Sequence, residues 1–161
     1  MNQSALRRGF EPLLRRIFHF YWRLVRGLTL GVRAVVLDAD GKVFLIHHTY
    51  VSGWQLPGGG VEVEETMLEA LERELMEEGR IELLAEPALH GVFHNSHVSI
   101  RDHVIIYVVR QFRQDRMPEP NREISACGFF PVDALPPDTT EGTRRRIAEV
   151  VHGQALIPTW R

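Results

Sequence analysis

Residues 54–81 read WQLPGGGVEVEETMLEALERELMEEGRI, a glycine-rich turn followed by a run at helical spacing. Pro57 followed by Gly58, Gly59 and Gly60 does not continue a strand well, but three glycines let backbone carbonyls and amides approach a ligand closely. The run that follows predicts a helix from about Thr66 to Glu78. At about 100° per residue, Glu74, Glu77 and Glu78 share one arc of roughly 100°. Leu68, Leu71 and Leu75 form an apolar stripe beside that arc, whereas Glu69 and Glu72 point away, so the three carboxylates border the core. The alternative is a solvated acidic face, but like charges at i,i+4 destabilise a helix unless something compensates them. Hard carboxylate oxygens without thiolates favour Mg²⁺, or Mn²⁺, ions that commonly pair with substrate phosphates. Arg73, one position before the first of these glutamates, is placed to orient a carboxylate or to touch the substrate.

Around this stretch the pattern is one of short strands. GVRAVVLD (31–38) and VFLIHH (43–48) read as two strands joined at Ala39-Asp40-Gly41-Lys42, the Asp-Gly pair signalling a hairpin. Segments 89–93, 103–112 and 128–132 are further strand candidates, 140–151 is helical, and 113–123 is a polar loop with two prolines. Strands with one helix near the middle and another near the end of the sequence predict an α/β layered domain over 29–161. Residues 1–28 differ in composition: six arginines stand against Glu11, a local balance of +5 that leaves −7 for the remainder. Apolar residues recur there at helical spacing, and Pro12 suits a first turn, so an amphipathic helix is expected over 12–26. Docking on its own domain or on a second copy in a homodimer is the first expectation for that helix, contact with an anionic membrane surface the second, and a cleaved transit segment the third.

The 161 residues, 44% of them apolar, suffice for one domain with a real core. A net charge of −2 supplies no chain-wide basic field, which argues against a general nucleic-acid binder. Cys127 is the one cysteine, which excludes an internal disulfide and any multi-cysteine zinc site. No apolar run approaches the roughly 18 residues of a membrane span, arginines interrupt any secretory core, and a cytoplasmic location is expected.

Gly59, Glu65 and the run Arg73-Glu74-Leu75-Met76-Glu77-Glu78 together resemble the Nudix box, G-x5-E-x7-R-E-U-x-E-E-x-G-U with U aliphatic, and residues 54–58 look like that family's lead-in. One position departs: the final glycine of the box is Arg80 here, with Gly79 one residue early, where it can serve as the left-handed helix stop. The resemblance implies a Nudix-type α/β/α sandwich with a mixed β-sheet. It further implies metal-dependent hydrolysis of a small-molecule nucleoside diphosphate linked to a second moiety, X. By position, Glu74, Glu77 and Glu78 would be metal ligands, the carbonyl of Gly58 or Gly59 would add another, and Glu65 would support the site. A carboxylate must take the proton of the attacking water. Either Glu74 or Glu123 is placed for that, Glu123 because an acid six residues before Phe129 resembles a loop found in some members. Loss of the box glutamates would mark a nucleotide-sensing module instead; all are present.

Substrate contacts are less legible. Tyr50, Trp54, Phe93 and Phe129 are stacking candidates or core residues. His94, His97 and His103 match no metal spacing, Arg101 and Asp102 form a loop ion pair or reach a sugar or phosphate, and Arg144, Arg145 and Arg146 read as a phosphate patch or a solvated helix face.

Overall fold

The computed structural model describes Phe18, Tyr21, Trp22 and residues 25–160. The amphipathic helix expected over 12–26 lies outside the described residues except at Phe18, Tyr21, Trp22, Val25 and Arg26, which are exposed.

The strands are β1 (Thr29–Val36), β2 (Val43–His48), β3 (Trp54–Gln55), β4 (Glu82–Leu83), β5 (Ala88–His94), β6 (Asp102–Val109), β7 (Phe112–Arg113) and β8 (Ile124–Phe130). The helices are α1 (Met67–Gly79) and α2 (Glu141–His152). β1 runs parallel to β6, which pairs antiparallel with β5; β2 lies between β3 and β8; β4 pairs with β7. The β1-β6-β5 sheet is therefore mixed, whereas β3-β2-β8 and β4-β7 are antiparallel. The expected hairpin does not form as a ladder. The chain does turn at Asp38, whose carboxylate accepts the backbone N–H groups of Asp40 and Lys42, but β1 and β2 share only the Leu37–Val43 bridge. A continuous apolar run such as β1 is satisfied by burial on both faces beside a parallel partner, and here that preference overrides the turn signal.

Alternation along the strands builds two cores. Val32, Ala34 and Val36 of β1, with Phe44 and Ile46 of β2, meet Ala70, Leu71 and Leu75 of α1. Val35, Leu37, Val43 and Leu45 face the other way, onto Ile147 of α2. The helices thus cover opposite faces of the strands, an α/β/α arrangement.

Local chemistry fixes both ends of α1. Thr66 and Glu69 form a reciprocal capping box, Thr66 Oγ1 accepting the Glu69 N–H and the Glu69 carboxylate accepting the Thr66 N–H. At the C-terminus the expected stop is displaced by one residue. Gly79 is helical, and Arg80 takes the left-handed conformation (φ 52°), its N–H closing onto Leu75 and Met76 carbonyls. Packing is the reason: a Cβ on Gly79 would lie 2.8 Å from Ile81 Cδ1 and 3.0 Å from Phe44 Cε1. The two positions consequently respond in opposite directions. Arg80→Gly should raise stability by about 1 kcal/mol by removing a left-handed side-chain penalty. Gly79→Ala should lower it by about 1–3 kcal/mol through overpacking. Urea unfolding checks both, and a neutral Gly79→Ala would contradict the packing role.

Candidate active site

The glycine loop lies directly on β1. The Val32 N–H donates to Gly59 O (2.8 Å), the Ala34 N–H to Pro57 O (3.0 Å), and the Val61 N–H to Leu30 O (2.9 Å). Gly58 sits at φ 135°, where a Cβ would fall 2.1 Å from Val32 O, so only glycine fits this crossing. From there the Gly58 N–H donates to Glu78 Oε2 at 2.6 Å. A Cβ on the neighbouring Gly59 would run into the Glu74 carboxylate at 2.3 Å. Loop and acidic helix face therefore touch with no side chain between them.

The three box carboxylates differ in environment. Glu78 is buried, Glu74 half-buried and Glu77 exposed. Burial pushes the Glu78 carboxyl up to about 8, against the pull of the Gly58 N–H and of Arg33; Glu74 and Glu123 push it further up. Burial also raises Glu74, although the Arg73 guanidinium opposes this.

Arg73 is the hub. Its Nε and Nη2 grip both oxygens of Glu65 (2.8 and 3.0 Å), Nη1 donates to Glu74 Oε1 (2.6 Å) and lies 3.8 Å from Glu77 Oε2, and Nη2 also reaches Gly60 O (3.1 Å). Glu65 supports the site by holding Arg73, and its hydrogen bonds with Arg73 keep its own carboxyl below the ordinary range. Among the described residues no three His, Cys, Asp or Glu side chains are grouped as a metal cage; Glu74 accepts from Arg73 and Glu78 from the Gly58 N–H. The Gly59 carbonyl is turned to the Val32 N–H.

Glu123 arrives from the loop before β8, close enough for its charge to act on both Glu74 and Glu78. Tyr50 Oη donates to Glu123 Oε1 (3.2 Å), and the Glu123 carbonyl accepts the Thr49 N–H. Two nearby residues carry no signal in the sequence. His48, at the end of β2, lies with Nε2 3.7 Å from Glu78 Oε1; its Nδ1 is buried without a hydrogen-bond partner, and burial lowers its pKa. Arg33 of β1 donates to Leu56 O (2.6 Å), and its charge is felt by Glu78.

The other candidates separate. Phe93 and Phe129 belong to the cores, Trp54 packs edge-on to Phe130, and Tyr50 is exposed. Asp102 accepts from Thr29 Oγ1 (2.7 Å) and Asn95 Nδ2 (2.8 Å) rather than pairing with Arg101. The three arginines of α2 form neither a phosphate patch nor a solvated face. Arg144 caps the carbonyls of Pro136 and Thr139, Arg145 pairs with Glu141, and Arg146 is fully buried. Beside Gly59 and Gly60 opens a cleft of about 800 Å³ that also borders Arg33, Asn95, Asp102 and Trp160.

The family model of the NUDIX domain matches residues 27–150. A 52-residue segment is 46% identical to an RNA pyrophosphohydrolase from Halorhodospira halophila, covering 32% of this chain and 29% of that one. Another RNA pyrophosphohydrolase, from Xanthomonas campestris pv. campestris, is 42% identical over 52 residues and 25% of its length. The matches thus span less than a third of those relatives. A crystal structure of a MutT NUDIX hydrolase from Burkholderia pseudomallei aligns with a TM-score of 0.66 at 29% identity, covering 76% of this chain and 98% of that one.

The buried Glu78 gives a pH signature. Its folded value, about 8, lies above the ordinary 4.5, so the native protein keeps a proton that the unfolded chain gives up. The associated stability is complete below about pH 4.5 and is lost as pH rises through about 8. Melting of the metal-free protein should therefore fall over that window, and Glu78→Gln should flatten the fall. Equal slopes in the two proteins would contradict the assignment.

Proposed function

The chain belongs to the NUDIX family, and on that premise we propose that it is a divalent-metal-dependent pyrophosphohydrolase acting on a nucleoside diphosphate linked to X. The observation that carries this reading is the buried Glu78 seated on the Gly58 N–H beside Glu74. A buried acid that keeps its proton in the metal-free protein is poised to exchange that proton for a cation. The donor set fits Mg²⁺ or Mn²⁺: oxygen ligands only, on a loop whose glycines leave no side chain between backbone and carboxylates. Glu74, Glu77 and Glu78 would hold the ion, and the Gly58 carbonyl would be a further ligand. Bound there, the ion would neutralise the diphosphate and acidify a water.

The remaining steps belong to the chain's own residues. Water attacks phosphorus, the bridging P–O bond breaks, and the electron pair leaves on the departing phosphate. Glu123 takes the water's proton. It suits that task better than Glu74, because Glu74 already accepts a 2.6 Å charged hydrogen bond from Arg73, whereas Glu123 accepts only a phenolic one. Arg73, braced by Glu65, keeps Glu74 oriented.

The name of the relatives, RNA pyrophosphohydrolase, makes RNA one member of the substrate panel, beside nucleoside triphosphates, ADP-ribose, nucleotide sugars and dinucleoside polyphosphates. With Mg²⁺ or Mn²⁺, at least one should be cleaved. Glu78→Gln should abolish that cleavage, and Glu123→Gln should lower kcat by roughly 100- to 10,000-fold with KM little changed. Tight binding of a nucleotide with no cleavage across the panel would favour a sensing module.

A further inference from the structure

After α2 the chain breaks at Gly153, in the left-handed region, and residues 154–160 return along β5. The His94 N–H donates to Pro158 O (2.9 Å) and the Trp160 N–H to His94 O (3.0 Å), which adds this strap beside β5 at the His94–Thr159 bridge. A buried charge cluster anchors it. Arg146 stacks on Phe93 (3.9 Å), donates from Nη1 to the carbonyls of Ile157 and Thr159 (3.3 Å each) and from Nη2 to Glu149 Oε1 (2.6 Å). The second oxygen of Glu149 meets His90 Nε2 at 3.0 Å. A buried pair of this kind contributes little net stability over apolar packing, but it permits one geometry, since any other leaves charges unpaired.

That geometry sets the position of Trp160. The indole lies on the first turn of α2, where a Cβ on Gly142 would come within 2.4 Å of Nε1, so the second helical position is a glycine under the ring. Trp160 packs partly buried against the core of Phe93 and Ile147 and also borders the cleft that Gly59 and Gly60 line. Arg33 stands in the same cleft, its Cζ 5.8 Å from the Trp160 ring centroid. An aromatic residue and an arginine thus border a cavity that also reaches Gly59 and Gly60, beside the proposed metal site.

We propose that Trp160 is a specificity-determining residue, supplying the surface on which the substrate's nucleobase stacks, and that the strap anchored by Arg146 and Glu149 exists to hold it there. The inference rests on the hydrolase reading for the identity of the substrate, but it is tested without turnover. Full-length protein in EDTA is titrated with nucleoside 5′-monophosphates and with ribose 5-phosphate, which lacks the base. The base should improve affinity by about 10- to 100-fold, as aromatic stacking does elsewhere. Trp160→Leu should erase that preference while leaving affinity for ribose 5-phosphate unchanged, and Trp160→Phe should restore most of it. Should the leucine variant fail to fold, a chain with Trp22 and Trp54 both replaced by Phe leaves Trp160 as the single indole. Its fluorescence should be quenched by the monophosphates and not by ribose 5-phosphate. A folded Trp160→Leu protein that keeps the full base preference, or an indole blind to nucleotide, would overturn the proposal. Base-dependent binding without hydrolysis of any substrate would instead count against the hydrolase reading and leave Trp160 in its role.

Discussion

The 2.6 Å hydrogen bond from the Gly58 N–H to Glu78 is the contact on which the site depends. It ties three layers at one point. Gly58 presses on the backbone of β1 so closely that no other residue fits, Glu78 belongs to the last turn of α1, and the carboxylate between them is shut away from water. A buried carboxyl with a single backbone donor is costly on its own account. The fold accepts that cost where the helix, the loop and the strand meet.

Charge is arranged around this point in opposition. Arg73 holds Glu65 and Glu74, and lies near Glu77, while Arg33 approaches from β1 beneath the loop. Arg73, inside the acidic cluster, and Arg33, at its edge, offset part of its charge, which helps several carboxylates share one helix face. A metal ion would therefore compete with Arg73 for Glu74, and Glu65 sets the terms of that competition by fixing where Arg73 sits.

Much of this was legible in the sequence because it is local. The arc of Glu74, Glu77 and Glu78 follows from helical period, and their graded burial follows from the stripe of Leu71 and Leu75 beside them. Glu65 and Arg73 meet because both lie within a dozen residues of one loop and one helix. What was not legible depends on distant segments. The chain turns at Asp38–Lys42 as the Asp-Gly pair predicts, but the hairpin ladder does not form, because whether β1 pairs with β2 or with β6, some 70 residues away, depends on burial of both faces. Arg146 looked like one of three surface cations until the returning strap supplied carbonyls for it. Trp160 acquires meaning only when residues 154–160 fold back beside β5 and bring it to a cleft lined by Gly59 and Gly60. The displaced stop of α1 has the same origin, since Phe44 of β2 makes glycine necessary at 79 and leaves Arg80 to adopt the left-handed conformation.

Whether these carboxylates form a divalent-cation site is decided by Mn²⁺ binding measured by electron paramagnetic resonance. The full-length protein should bind Mn²⁺ saturably, weakened at least about tenfold by Glu78→Gln and by Glu74→Gln. Arg73→Lys, which loses the two-point grip on Glu65, should alter the affinity while leaving the fold intact. Undiminished Mn²⁺ binding by a folded Glu78→Gln protein would contradict such a site.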